Sequence, residues 1–250
     1  MKNCLKLTFD GGKTALAIRV AQQAELPDAL EGIGLGGSRS VLVVVGGASN
    51  ISEADFLRIQ RLFTEVLAPI AESLGAYVVD GGTDAGVIQL MGKARTEIGA
   101  KFALIGVTPE NKVALPNQEE PAADLIPLEP NHTHFVLVPG NNWGDESAWI
   151  SGVATVLANN APSVTILLNG GEITFEDAFS SVNIGRSVVV IAGSGRTADI
   201  LANALRGQAT DERAKKLAKS GKLQSINLID IEKGVENLGK IIKDLLDNQE

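Results

Sequence analysis

From residue 40 onward, short apolar runs alternate with longer segments whose apolar positions recur every three or four residues, the pattern of strands taking turns with amphipathic helices. The runs at 40–45 (SVLVVV), 76–79 (AYVV), 102–106 (FALIG), 134–138 (HFVLV), 164–168 (VTILL), 187–191 (SVVVI) and 225–230 (SINLID) predict strands. Helices are predicted at 52–74, 85–98, 145–158, 174–182, 197–205, 211–219 and 233–247. Ser52 with Asp55 forms an N-cap arrangement, and Val235, Leu238, Ile241, Ile242, Leu245 and Leu246 make one stripe suited to packing on a sheet. Strands apolar on both faces and separated by helices predict a parallel sheet covered on both sides. Ahead of this core, 4–9 and 14–20 alternate around Asp10-Gly11-Gly12-Lys13 and predict a β-hairpin, a ribbon apart from the main sheet. Residues 27–38 read as a glycine-rich connector, and 109–131, with five prolines, as a surface excursion. The expected architecture is one α/β domain over 1–250, with hairpin and connector at 1–38, a mostly parallel core at 39–232 and a closing helix at 233–250.

Composition narrows the function classes. A chain of 250 residues, 44% hydrophobic but only 4% aromatic and with 27 glycines, can bury a full core of aliphatic strands joined by tight turns. The net charge of −8 excludes a nucleic-acid backbone as partner, since that binding depends on cationic side chains displacing counterions. A small phosphate-bearing ligand stays open, because backbone N–H groups and helix N-termini bind anions without net positive charge. The single cysteine, Cys4, allows no internal disulfide, residues 1–20 lack a secretory pattern, and no apolar run is long enough to span a bilayer. These features predict a cytoplasmic protein without membrane contact, and its acidic surface permits a homodimer.

The chemistry concentrates in five glycine loops at strand ends. They are Gly46-Gly47-Ala48-Ser49-Asn50, Gly81-Gly82-Thr83-Asp84-Ala85-Gly86, Pro139-Gly140-Asn141-Asn142, Asn169-Gly170-Gly171-Glu172 and Gly193-Ser194-Gly195-Arg196. In a parallel sheet all carboxyl ends share one edge, where ligands bind at the point at which the winding reverses. Glycine pairs let backbone approach a ligand, and four of these loops run straight into a predicted helix, whose first N–H groups are free. Ligand contacts are therefore expected from Gly46, Gly47, Ala48, Ser49, Asn50, Gly81, Gly82, Thr83, Asp84, Gly86, Gly140, Asn141, Gly170, Gly171, Glu172, Gly193, Ser194, Gly195 and Arg196. Arg196 is the one cation inside a glycine loop, and its planar fork suits bidentate phosphate contact.

Residues 41–50 (VLVVVGGASN), 78–92 (VVDGGTDAGVIQLMG), 130–138 (PNHTHFVLV) and 187–201 (SVVVIAGSGRTADIL) closely resemble the cytosolic N-terminal region of melastatin-type TRP (TRPM) channels and its prokaryotic SLOG-superfamily relatives. The resemblance implies a Rossmann-like, three-layer fold that binds ADP-ribose or a related or cyclic nucleotide, with no further cofactor. It places Asn50 and the backbone of Gly46 to Ser49 at phosphate or ribose, and Thr83 and Asp84 on the opposite wall. One difference is the helix after the fourth core strand, basic in those channels but opening here Asp145-Glu146-Ser147. A second branch of the superfamily, the LOG-type phosphoribohydrolases, carries GGGxxGLMG and PGGxGTxxE. Residues 81–92 and 169–177 partly echo these, with Ile173 replacing a loop glycine and Asp177 standing for the catalytic glutamate. This alternative makes Asp177, Glu176 or Glu172 the carboxylate that stabilises an oxocarbenium-like ribosyl centre in an N-glycosidase acting on nucleoside monophosphates.

Other motifs point elsewhere. Gly12-Lys13-Thr14 ends like a phosphate-binding loop, but Leu7 occupies the first glycine's place and no helix follows. Gly193 to Ala198 matches a dinucleotide fingerprint without the acidic residue expected on the next strand. Ser194 lacks the flanking glycines of a hydrolase elbow. His132 and His134 share one face at a strand start and read as a hydrogen-bonding pair rather than a metal site. Trp143 and Trp149 suit core packing, with base stacking as the alternative. The run 211–222 reads as a solvated helix face.

Overall fold

The buried, doubly apolar strand β3 (Val41–Gly46) forms the axis of the molecule: Val41 through Val45 are each at most 4% exposed. Such burial of aliphatic side chains is worth roughly 1.5–3 kcal/mol each and requires neighbours on both faces. The computed structural model describes residues 4–116, 118, 122–208, 211–230 and 239–246. In chain order it shows β1 (Cys4–Thr8), β2 (Thr14–Arg19), α1 (Leu26–Gly32), β3, α2 (Glu53–Arg61), α3 (Ala68–Leu74), β4 (Tyr77–Asp80), α4 (Gly86–Glu97) and β5 (Leu104–Pro109). There follow β6 (Val113–Ala114), β7 (Ile126–Pro127), β8 (His134–Val138), α5 (Ser147–Ala158), β9 (Ser163–Leu168), α6 (Glu172–Asn183), β10 (Ser187–Ala192), α7 (Arg196–Leu205), α8 (Glu212–Lys219) and β11 (Leu223–Asn227). Residues 239–246 are helical. The rest of the predicted closing helix, 233–238 and 247, lies outside the described residues.

The main sheet has nine strands in the order β1-β2-β8-β5-β4-β3-β9-β10-β11, and only the β1–β2 pair is antiparallel. The α/β fold with a mostly parallel central sheet and an N-terminal hairpin is thus as expected. The hairpin corrects one expectation: β2 pairs in parallel with β8, Leu16 opposite His134, so the ribbon is the edge of the main sheet. The connector also differs, since 27–38 contains most of α1, which starts at Leu26 with Pro27 in its first turn. Helices α1, α5, α6, α7 and α8 cover one face through residues such as Leu30, Val153, Phe175, Leu201 and Leu217. Helices α2, α3, α4 and 239–246 cover the other through Ile59, Ala71, Met91 and Ile242.

Between α2 and α3 the chain keeps coiling through a π segment, Leu62–Leu67. Pro69 supplies the reason: it has no N–H to give the preceding turn, and widening that turn spares the helix a break while Phe63 and Leu67 stay buried. Ser52 Oγ accepts from the Asp55 N–H at 3.1 Å, as the N-cap pattern required.

The excursion after β5 carries the two-residue parallel ladder of β6 and β7 and then turns back to the end of β4. Thr83 bridges Leu128, the Asp84 N–H donates to Pro127 O at 2.8 Å, and the Glu129 N–H donates to Gly82 O at 3.0 Å. It buttresses the β4 loop. Strand order reverses between β3 and β9, with β4, β5 and β8 to one side and β10 and β11 to the other, so a crevice opens outside the carboxyl ends of these two strands.

Candidate functional site

A cleft of about 320 Å3 occupies that crevice, within the range of small-ligand sites. Gly46 begins it. With φ of 131°, its missing side chain lets the end of β3 lie against β9, where a Cβ would stand 1.8 Å from Leu168 O. The floor is apolar, from Val44, Val45, Ile88, Ile150 and Ile173.

Buried Asn169 ties three loops together. At φ of 48°, a left-handed conformation asparagine tolerates, it donates through Nδ2 to Ser194 O at 2.7 Å and Ser49 O at 3.2 Å, and receives the Gly170 N–H on Oδ1 at 2.8 Å. Its own N–H reaches Ser194 Oγ at 2.8 Å. The N-terminus of α7 is consumed in the same lock, because the Thr197 and Ala198 N–H groups donate to Gly170 O and Asn169 O. The N-terminus of α6 remains: Glu172 and Ile173 are in its first turn, with N–H groups that have no acceptor inside the helix, and both line the cleft. Arg196, exposed and at φ of 51°, donates to Ser49 Oγ at 2.6 Å. Its guanidinium lies over Gly171, where a Cβ would fall 2.9 Å from Nη2. This rim can hold an anion between a fixed cation and a helix start.

The opposite end is acidic. Asp177 and Glu146 are buried and line the cleft beside Trp143. Ser147 Oγ donates to Asp177 Oδ1 at 2.6 Å, and the Gly144 N–H donates to Glu146 at 2.8 Å. Burial pushes the Asp177 carboxyl up to about 7, against the Ser147 bond and with help from Glu146 and Glu176. Burial also raises Glu146, against its backbone hydrogen bonds, with Asp145 and Glu176 adding to the rise.

Of the residues expected at the ligand, Gly46, Gly47, Gly81, Thr83, Gly170, Gly171, Glu172 and Asp177 line the cleft, and Ser49 and Arg196 stand at its rim. The others are placed differently. Ala48 packs by Gly86, and Asn50 is exposed beyond the rim. Gly82 touches Gly106 so closely that a Cβ would lie 2.9 Å from its Cα. Asp84 accepts from Gln89 Nε2 at 2.8 Å. Beside Gly140, the N–H groups of Asn141 and Asn142 donate to Asp145 Oδ2. Gly193 donates to Asp199, Gly195 abuts Asn169 Nδ2, and Ser194 braces the Asn169 lock. Glu176 is exposed outside the cleft. Glu172 pairs with Arg213 at 2.5 Å, while Arg213 covers the Phe175 ring at 4.1 Å, so the run 211–222 is partly a packing surface rather than a wholly solvated face. Trp149 packs on the core, and Trp143 packs against the hydrophobic cluster beside the hairpin, both as expected, while Trp143 also lines the cleft. Glu146 and Asn169 went unselected by sequence reasoning. The one signal was that Asn, unlike most residues, suits a left-handed turn.

The two histidines have separate surroundings. His132 is fully buried between Asp80, 2.8 Å from Nε2, and Glu129, 2.8 Å from Nδ1, and stacks on Phe135. Burial alone would depress its pKa, but the two carboxyl groups override that and hold it at about 9. Asp80 also receives the Gly82 N–H at 2.8 Å, which anchors the β4 loop. His134 Nδ1 lies 2.8 Å from Thr133 Oγ1, and burial lowers its pKa.

A family model described as SLOG in TRPM, prokaryote, matches residues 39–237. Transient receptor potential cation channel subfamily M member 2 of Mus musculus is 27% identical over 201 residues, 65% of this chain and 13% of the channel. A subfamily M member-like 2 protein of Nematostella vectensis is 25% identical over 261 residues, 84% of this chain and 16% of that protein. The chain therefore spans a small part of the curated relatives it matches. No helix among the described residues is long and apolar enough to cross a membrane.

Proposed function

Because the chain belongs to the family of prokaryotic SLOG domains akin to those of TRPM channels, we propose that it binds a nucleotide-derived ligand such as ADP-ribose or a cyclic relative. The observation that carries this reading is the cleft at the β3/β9 reversal, with Arg196, Ser49 and the first turn of α6 gathered on one rim. Phosphate sits at that rim, ribose and base run along Val44, Val45, Ile88 and Trp143, and no further cofactor is required. In this reading the protein works in the cytoplasm on a small molecule, and a homodimer is compatible with it.

Thermal denaturation with ADP-ribose, cyclic ADP-ribose, NAD and common nucleotides tests the reading. A ligand at a hundred times its Kd adds about 2.7 kcal/mol of stability. No shift with any of them at millimolar concentration overturns it.

The position of Asp177 favours one second reading, nucleotide N-glycosidase activity. It lines the cleft and titrates near neutrality, as a general acid should. Its neighbours Glu176, exposed, and Glu172, paired with Arg213, are less suited. Release of free base from nucleoside monophosphates, abolished in Asp177→Asn, is the expected result; no release discards it.

A further inference from the structure

The acidic end of the cleft has a charge that the protein itself leaves unmatched. Asp177 is nine-tenths buried, and its Oδ2 has no hydrogen-bond donor among the described residues. Neither Asp177 nor Glu146 forms an ion pair among those residues. The charged groups acting on them are Glu176 and Asp145, both acidic. On the α8 flank of α6, Arg213 is engaged with Glu172, Asp211 and Phe175, and Lys216 with Phe179. Arg196 stays at the rim beside Gly171. From β3, the cleft receives only Val44, Val45 and Gly46.

Two carboxyl groups confined in this way accept a neutral donor with their lone pairs, but only a positive charge lets both ionise together. No cluster of three or more His, Cys, Asp or Glu suited to a metal occurs among the described residues. Trp143 adds an indole to the same wall, the side chain whose face best receives an organic cation. We propose that the cleft selects a nucleotide whose base is itself cationic, a pyridinium being the simplest case, with the ring at Trp143, Glu146 and Asp177 and the phosphate at Ser49 and Arg196; this refinement rests on the nucleotide-binding reading above. Binding such a ring expels the proton held at Asp177, so affinity for it rises with pH through about 7.

Nicotinamide mononucleotide and its reduced form test this, since they differ little in shape while only the oxidised ring is charged. In calorimetry at about pH 8 the oxidised form binds about tenfold tighter than the reduced form, the scale of a desolvated cation–π contact with ionic support. Its affinity increases between about pH 6 and about pH 8 by more than that of AMP, which shares the phosphate ionisation but has no charged base. Asp177→Asn and, separately, Glu146→Gln bring the oxidised and reduced forms to within about twofold of each other. Equal affinities for the two forms in the unmodified protein overturn the cation preference, and binding of AMP or ADP-ribose in the same series leaves the nucleotide reading standing. If no nucleotide binds at all, both fall.

Discussion

Two pairs of buried acids sit at the carboxyl edge of one sheet and come to opposite ends. Asp80 and Glu129 enclose His132, which bonds both at 2.8 Å. Asp177 and Glu146 enclose open space and have a serine hydroxyl and a backbone N–H for partners. The first pair is a tie between β4 and the returning excursion, compensated from within. The second is uncompensated, and its raised pKa values record the cost. Burial of acid groups alone does not identify a site; what matters is whether the fold supplies the matching charge.

Removing the central group of the compensated cluster gives the largest effect. His132→Leu leaves Asp80 and Glu129 buried together without a cation and is expected to cost about 3–5 kcal/mol in denaturant unfolding at neutral pH. The pH dependence has a defined sign. A folded pKa of about 9 above the ordinary 6.5 means that the His132 contribution is complete below about 6.5 and is lost as pH rises through about 9. That alkaline loss disappears in the variant. A protein no less stable after the substitution would break the comparison.

The mirror experiment has a smaller and opposite effect. Asp177 has a folded value of about 7 against an ordinary 3.8, so its contribution favours the folded state below about 3.8 and is lost as pH climbs through about 7. Asp177→Asn keeps an acceptor for Ser147 and removes the ionisation. It is expected to raise stability by about 1–3 kcal/mol at about pH 8 and to remove the loss of stability that Asp177 causes as pH climbs from 3.8 through about 7, read from denaturation midpoints across pH. Destabilisation at alkaline pH would place a hidden cation beside Asp177.

Arg196 sharpens the contrast from the other rim, with the smallest effect on folding. It is exposed and in no ion pair among the described residues. Arg196→Gln is therefore expected to leave stability within about 0.5 kcal/mol and to weaken nucleotide binding about tenfold, as loss of one charge-assisted contact does. Calorimetry beside thermal unfolding separates the two quantities.

The glycine loops show how far local sequence reaches. They correctly mark the strand ends, because a chain leaving a strand for a helix needs left-handed turns and close backbone contacts wherever it goes. They mark the cleft lining only in part, since Gly46 and Gly82 are required by neighbouring backbone and the loop at Gly193 to Gly195 by Asn169. The hairpin was legible as a hairpin, but its place beside β8 was not: pairing in parallel with a strand more than a hundred residues away leaves no local mark. Trp143 and Trp149 look alike in sequence and both pack on hydrophobic clusters, and only its position before α5 makes Trp143 a cleft wall as well.

The alternation of the core strands with their helices, the apolar faces they bury and the family likeness followed from the sequence itself, because side-chain periodicity and turn chemistry act over a few residues. Which loops share the β3/β9 crevice, that Asn169 locks them, and that one acid pair receives a histidine while the other faces open space were decided by tertiary structure. Charge compensation depends on distances between residues remote in the chain, and those distances exist only once the sheet has set its strand order.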